Sequence, residues 1–235
     1  MSVVAIITAR GGSKRIPRKN IKAFLGMPII QYSIEAALKS GIFDEVMVST
    51  DDPEIAEVAR NCGAVVPFLR SSENANDFAT TAQVLTEVLM NYKQTGKDFD
   101  EACCIYPTAP FVTATKLQTA YKQLMNSGAD SLVPVTRFSF PIWRSFKIEN
   151  DRIAFNWPEN ALKRSQDLPP AFHDCGQFYF FKTIPFIENG ALVGPNTTAI
   201  EMPESEVQDI DNEEDWKIAE IKYAFLKEKE QLSHD

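Results

Sequence analysis

A chain of 235 residues, 44% apolar and 24% charged with a formal charge of −8, can bury one sizeable core and has the make-up of an ordinary soluble globular domain. No apolar run approaches the roughly 18 residues of a membrane span, and an acidic balance speaks against nucleic-acid binding, which needs a broad basic face. Neither membrane nor nucleic acid is an expected partner.

Because Val3 opens directly into a strand with no basic region before it, no signal peptide is expected. Four cysteines, Cys62, Cys103, Cys104 and Cys175, show no C-x-x-C spacing and read as free thiols in a reducing cytoplasm. Only His173 and His234 are available as imidazoles, so zinc sites and Ser-His-Asp chemistry are poorly supplied.

In chain order, the β-branched run from Val3 to Thr8 leads past Ala9 into Gly11-Gly12-Ser13, a buried strand entering a loop. That loop carries Arg10, Lys14, Arg15, Arg18 and Lys19, with Lys22 just beyond: six cations within thirteen residues of an acidic chain. Like charges so crowded call for an anion, and the end of a strand in an open α/β sheet is where ligands bind. The glycine pair is expected to take positive φ and bring backbone N–H groups to that anion, most naturally a polyphosphate. The loop is neither a P-loop nor G-x-G-x-x-G, so arginine side chains must do much of the holding. The competing reading is a solvated basic loop.

Next comes a helix from Pro28 to Leu38, with Ile30, Ile34, Ala37 and Leu38 on one face and Gly41 as its stop. A strand over 45–50 ends at Asp51-Asp52-Pro53, where an acid and a proline open another helix. A short strand over 64–68 and a helix over 80–92, striped by Val84, Leu85, Val88, Leu89 and Tyr92, follow. Arg70 with Asp77, Thr80 and Thr81 resembles a polar ligand wall, although any helix start looks similar. A strand over 101–106 runs into Pro107-Thr108-Ala109-Pro110, then come a helix marked by Leu117, Ala120, Tyr121, Leu124 and Met125 and a strand over 131–135. This βαβα alternation predicts an α/β fold with a doubly wound, mostly parallel sheet in a single domain.

Over 136–170 the pattern changes. Residues 143–148 and 152–157, joined by Glu149-Asn150-Asp151, alternate like a hairpin too short and aromatic to bury its own faces. It is expected to lie against the sheet domain or a second subunit, and the subunit is favoured because an excursion exposing Phe and Trp would otherwise be an apolar patch. The sheet resumes over 176–181 and 197–202, and a final helix after Asp211 aligns Trp216, Ala219, Tyr223 and Leu226.

Two polar stretches remain. In Asp209-Ile210-Asp211 an extended backbone turns both carboxylates the same way, which suits Mg²⁺ when phosphates supply its other oxygens. Equally, Asp211 can be the N-cap of the last helix with Glu214 completing the box. The run from Arg164 to Gln177 offers a guanidinium for a carboxylate and Gln166, His173 and Gln177 for hydroxyl or amide groups, or is simply a structured loop.

The stretch Ala9 to Asn20, Tyr106-Pro107-Thr108-Ala109-Pro110 and Asp209-Ile210-Asp211, in that order, resemble the CMP-sialic acid synthetases (acylneuraminate cytidylyltransferases) over nearly the whole chain. Within that family, Arg164 to Pro169 with His173-Asp174 and Gly176 to Tyr179 is most similar to the pseudaminic acid enzymes. The resemblance implies a Rossmann-like nucleotidyltransferase with the hairpin as a dimerisation arm, hence a cytoplasmic homodimer joining CTP to a nine-carbon 2-keto sugar acid. It implies Arg10, Lys19 and Asp211 in catalysis. Ala9, Arg10, Gly11, Gly12, Ser13, Lys19, Asn20, Arg70, Thr80 and Thr81 would hold the nucleotide, and Asp209 and Asp211 would hold Mg²⁺. Thr108, Arg164, Gln166, His173, Gln177 and Tyr179 would face the sugar. One departure is Tyr106, where many sialic acid enzymes carry a substrate-contacting glutamine. It points away from N-acetylneuraminate, leaving legionaminic acid and KDO as further alternatives to pseudaminic acid.

Overall fold

The computed structural model describes residues 1–232, so His234 lies outside the described residues. Strands β1 (Val3–Thr8), β2 (Ala23–Phe24), β3 (Met27–Pro28) and β4 (Glu45–Ser49) precede helix α2, with α1 (Ile29–Ser40) leading into β4 and α2 (Pro53–Asn61) following it. Then come α3 (Thr81–Gln94), β5 (Glu101–Ile105), α4 (Ala114–Ser127) and β6 (Ser131–Arg137). The last part holds β7 (Phe146–Glu149), β8 (Arg152–Phe155), β9 (Phe172–Asp174), β10 (Phe178–Lys182), α5 (Thr183–Asn189), β11 (Thr197–Glu201) and α6 (Glu213–Leu232).

Seven strands form one sheet in the order β11-β6-β10-β5-β1-β4, with β9 also on β6. β1 lies parallel to both β4 and β5, and β11 parallel to β6, while β10 runs antiparallel between β5 and β6. The expected α/β sheet is therefore present, with β9 and β10 as its antiparallel members. The expected strand over 64–68 shrinks to a single bridge from Val65 to Met47, because Pro67 removes a ladder donor just beyond it.

Burial on both faces explains the continuous apolar runs in β1 and β5. Alternate residues of β1 divide between two helical layers. Ala5 and Ile7 pack with Ile30, Ile34, Ile55 and Leu117, on the side of α1, α2 and α4. Val4 and Ile6 pack with Leu85, Val88 and Tyr92 of α3 and Phe186 of α5. Cys103, Cys104 and Cys175 are buried thiols, and all four cysteines are free.

A third cluster gathers residues of the segments after β1 and β5 with α1 and α6. Phe24 is fully buried and meets Tyr32, Trp216 and Tyr223 edge-on at ring distances of 5.5, 5.6 and 5.7 Å. Ile16 of the basic loop and Ile210, just before α6, complete it. The last helix is thus docked against the loop that follows the first strand.

The excursion over 136–170 contains the expected hairpin, β7 against β8, but with a tighter turn than the three residues 149–151. Glu149 pairs with Arg152, and Asn150 and Asp151 take φ of 51° and 59°, a two-residue turn matching strand twist. Trp143 and Trp157 lie outside the strands and meet at 5.3 Å, and the Trp143 Nε1–H donates to the Pro169 carbonyl at 2.9 Å. Among the described residues nothing covers the hairpin, where Ile148 is 75% exposed and Ile153 67%, and Leu162 beyond it is 100% exposed.

Candidate active site

Parallel strands point their carboxyl ends the same way, and β1, β4 and β5 open together onto a cavity of about 440 Å³. Thr8, Arg10, Ser13, Lys14, Arg15, Lys19 and Asn20 of the first strand and loop line it, with Arg70, Thr81, Tyr106, Thr108 and Asp211. Residues near both ends of the chain thus share one wall.

The loop is shaped by its own hydrogen bonds. Arg18 takes φ of 56°, the left-handed turn that starts a 3₁₀ segment over Lys19–Ile21. The Asn20 amide is buried and donates to the Arg10 carbonyl at 2.8 Å. The glycines act differently from the expectation. Neither Gly11 nor Gly12 has positive φ, and the Gly11 N–H donates to Asp51 Oδ1 at 2.9 Å. Gly11 is needed because a Cβ there would come within 2.8 Å of Asp52 Oδ2. Gly11 thus lets the loop approach the start of α2, and neither glycine lines the cavity.

Carboxylates from elsewhere in the chain balance the crowded cations. Arg18 pairs with Asp52 and Glu54, and Lys22 with Glu213 at 2.7 Å, both away from the cavity. Asp52 also caps α2 through the Glu54 and Ile55 N–H groups, and its Arg18 hydrogen bond holds its carboxyl below the usual range. Arg10 and Lys14, which do line the cavity, both donate to Asp77. Those bonds, first Lys14 and then Arg10, lower the Asp77 carboxyl. Asp77 sits in a turn where Asn76 Oδ1 accepts from the Phe78 and Ala79 N–H groups, with Phe78 projecting 92% exposed. Two of the cations aimed at the cavity therefore share one internal carboxylate.

Lys19 reaches across the cavity mouth. Its ammonium donates to the Ile210 carbonyl at 2.7 Å and lies 4.0 Å from Asp211. Burial lowers its pKa, opposed by the charges of Asp211 and Asp209. Arg15 binds Asp211 Oδ1 at 2.7 Å. Desolvation, and then the Asp211 charge, raise the Asp209 carboxyl. These two carboxylates are hard oxygen donors that repel each other beside the cavity, a pair suited to a divalent cation. Among the described residues no group of three or more His, Cys, Asp or Glu is clustered for a metal, so further ligands would have to come from substrate oxygens or water.

The cap reading of Asp211 is corrected by one residue. Asn212 Oδ1 accepts from the Glu214 and Asp215 N–H groups at 2.8 and 3.0 Å, and Asp215 accepts from the Asp211 and Asn212 N–H groups. Asn212 with Asp215 is the capping pair, and the Asp211 carboxylate is left for the cavity. The pattern Asn-x-x-Asp was present in the sequence and marks this cap.

Arg70 is buried at the back wall, donating to the Ser49 carbonyl at 2.7 Å and its hydroxyl at 3.1 Å, and burial lowers its pKa. Thr81 lines the cavity, but Thr80 does not: its hydroxyl accepts from the Gln83 N–H in a capping box at the start of α3. Ala9 is likewise fully buried in the core.

Of the residues expected at a second substrate, only Thr108 lines this cavity. Tyr179 reaches its edge by meeting Tyr106 at a ring distance of 5.5 Å. Gln177 is buried and donates to the Glu206 carbonyl. His173 is exposed on β9 against Phe138. Arg164 spends both faces of its fork on Asp167, at 2.7 and 2.9 Å. Gln166 lines a separate cavity of about 340 Å³ at the root of the hairpin excursion. Within one chain these four do not join the cavity: Gln177 is spent inside the core, His173 stands on β9 at the sheet, and the excursion holds Arg164 and Gln166.

The family model for cytidylyltransferases matches residues 4–186, which include this cavity's strands and loop. The chain belongs to the cytidylyltransferase family. This cytidylyltransferase is 41% identical over 224 residues to a pseudaminic acid cytidylyltransferase of Campylobacter jejuni, covering 95% of this chain and 97% of that one. It is 33% identical to the CMP-N,N'-diacetyllegionaminic acid synthase of Legionella pneumophila, covering 94% and 95%. With an N-acylneuraminate cytidylyltransferase of Danio rerio it shares 36% identity, covering 93% of this chain and half of that longer protein. In fold it resembles a CMP:2-keto-3-deoxy-manno-octonic acid synthetase solved with CTP, at a TM-score of 0.68 and 16% identity, covering 97% and 100% of the two chains.

Because Asp77 competes for Arg10 and Lys14, Asp77→Asn is expected to bind inorganic tripolyphosphate several-fold more tightly than the unaltered cytidylyltransferase. The gain should shrink as salt screens the cations. Calorimetric titration at two salt concentrations checks this, and unchanged or weaker binding would show that Asp77 serves to order the loop instead.

Proposed function

We propose that this cytidylyltransferase activates pseudaminic acid, joining it to CTP to give the CMP-sugar and pyrophosphate. The observation that supports the choice of acid is the match along almost the full length of both chains to an enzyme named for it. Tyr106 at the cavity floor, in place of the glutamine of many sialic acid enzymes, agrees with that choice.

In this reading the triphosphate enters the basic end of the cavity and takes Arg10 and Lys14 from Asp77. Lys19 and Arg15 add positive charge along the same wall, Arg70 backs the nucleotide, and Thr81 and Thr108 offer hydroxyls. The anomeric hydroxyl of the acid attacks the α-phosphorus in line, the bond to the β-phosphate oxygen breaks, and pyrophosphate leaves. The protein contributes alignment and fixed positive charge where negative charge develops, and needs no nucleophile of its own. Asp209 and Asp211 would hold Mg²⁺, which when bound neutralises phosphate charge and orients the leaving group. Arg15 and Lys19 keep Asp211 paired until the nucleotide draws them away.

The exposed apolar arm is read as a dimerisation surface, and a partner subunit is the route by which Arg164, Gln166 and His173 would reach an acid-binding site. Light scattering on the eluting protein is expected to give twice the 26.4 kDa of one chain. A mass of one chain would remove both the dimer and that route.

Pyrophosphate release with CTP, Mg²⁺ and a panel of pseudaminic, legionaminic, N-acetylneuraminic and KDO acids is expected to be strongest with pseudaminic acid. Preference for another acid would keep the reaction and discard the substrate.

Asp211→Asn is expected to lose most turnover while shifting stability by less than about 1 kcal/mol, since it removes only partly exposed ion pairs. Asn212→Ala should do the reverse, costing about 1 kcal/mol as a lost helix cap while keeping turnover. Normal Mg²⁺-dependent rates in Asp211→Asn would exclude the metal role.

A further inference from the structure

Beside the cavity, the aromatic ring of Phe78 is left almost wholly in water, 92% exposed. Yet its neighbours along the chain both belong to the site: Asp77 takes two of the cavity's cations, and Ala79 lines the cavity. The strap that carries the ring, between Arg70 and Thr80, is pinned at both ends. The Arg70 N–H donates to the Thr50 carbonyl at 2.8 Å, and its guanidinium to the Ser49 carbonyl at 2.7 Å. Glu87 of α3 then accepts from the Ser71 N–H and hydroxyl, each at 2.8 Å, and from the Asn74 amide. At the far end Thr80 caps α3.

Between those pins the tip, residues 75–79, is held differently. Its hydrogen bonds are internal to one turn: Asn76 Oδ1 accepts from the Phe78 and Ala79 N–H groups, and the Asn76 amide donates to the Glu73 carbonyl. No residue from Ser71 to Thr80 is buried, so apolar packing does not anchor the strap. Among the described residues, the pairs of Asp77 with Arg10 and Lys14 are the only hydrogen bonds or ion pairs that tie the tip to the rest of the protein. Asp77 faces those cations, and the ring next to it faces solvent.

We propose that Asp77 latches this tip open, and that a bound triphosphate releases it so that Phe78 closes over the base of the nucleotide. This rests on the reading of the cavity as the CTP site. Exposed ion pairs are weak and exchange readily. A triphosphate that draws Arg10 and Lys14 leaves the Asp77 carboxylate facing a polyanion with no cation of its own, and like charges drive it out of the cavity. Asp77 and Phe78 are adjacent on one turn, so a rotation that carries the carboxylate out carries the ring in. The ring gains by leaving water, and a nucleobase offers it a flat partner. Phe78 then touches substrate, whereas Asp77 and Glu87 are positioning residues, one holding the tip back and the other fixing the base of the strap.

Amide hydrogen exchange over residues 71–80 tests the latch, because the Phe78 and Ala79 amides sit in the turn itself. Inorganic tripolyphosphate takes the cations but brings no base, so it is expected to speed exchange of these amides severalfold. CTP is expected to slow them, because the closed ring seals the turn. In Asp77→Asn they should exchange at the released rate with no ligand present, and tripolyphosphate should add nothing. Unchanged or slower exchange with tripolyphosphate would overturn the latch. Exchange as fast with CTP as with tripolyphosphate would overturn the closure.

Calorimetric titration tests the ring. Phe78→Ala is expected to weaken CTP binding about tenfold, the scale of one lost stacking partner for a base, and to change tripolyphosphate binding less than about twofold. Phe78→Trp should bind CTP as the unaltered enzyme does, since it keeps a flat ring at the tip. A side chain already in solvent leaves no cavity when it is removed, so neither variant puts folding at stake. Equal losses for CTP and tripolyphosphate would overturn the proposal, as would a Phe78→Trp variant no better than Phe78→Ala. CTP that fails to bind the unaltered enzyme would remove the nucleotide reading and the closure together. CTP bound as tightly by Phe78→Ala as by the unaltered enzyme would remove the closure alone.

Discussion

The site depends on one clamp between the two ends of the chain. Ile210 is buried with Ile16, Phe24 and Trp216, and its carbonyl accepts the Lys19 ammonium at 2.7 Å. Because successive side chains of an extended backbone point opposite ways, seating Ile210 in that cluster turns Asp209 and Asp211 out of it together. The same seat brings them beside the basic loop, whose own anchor in the cluster is Ile16. Apolar burial therefore aims the carboxylates, and the lysine adds register to a contact that hydrophobic packing alone leaves non-directional.

Around that clamp the electrostatics are arranged as exchangeable pairs. Six loop cations meet carboxylates from three other parts of the chain, at Asp52 and Glu54, at Asp77, and at Asp211 and Glu213. Arg18 and Lys22 stay in pairs outside the cavity and hold the loop in place. Arg10, Lys14 and Arg15 sit in exposed pairs at its wall, worth little in a wet, screened setting, and so are easily surrendered to a polyanion. The division between permanent and exchangeable partners follows from which side of the loop each cation faces. Deep in the wall, Arg70 is held by Ser49 oxygens instead, which need not be displaced to expose it.

Much of this was legible in the sequence, because it rests on local pattern. The apolar alternation of Val3–Thr8, the stripe of α3 and the Asp-Ile-Asp spacing each need only neighbours along the chain to be read. What was not legible required knowing who approaches from afar. Gly11 looks like a phosphate-loop glycine, yet its missing side chain makes room for Asp52, which arrives from the end of β4. The cap of α6 falls on Asn212 rather than Asp211: both residues are good caps, and it is the Asn-x-x-Asp pair that makes the cap hydrogen bonds. Arg164 and Gln166 read as site residues, but the hairpin excursion carries them outward, a displacement set by a segment with too little core of its own to pull it back.

The antiparallel placement of β10 between β5 and β6 also sets when the site can exist. It brings Tyr179 beside Tyr106, and α6 brings Asp211 to Arg15, a pairing 196 residues apart along the chain. Closing such loops costs entropy before any contact repays it. A growing chain thus carries its six clustered cations, with Asp52 and Asp77, long before the terminal aspartates appear. The cavity is complete only when β10 and α6 are both in place, because Tyr106 rests on Tyr179 and Arg15 on Asp211.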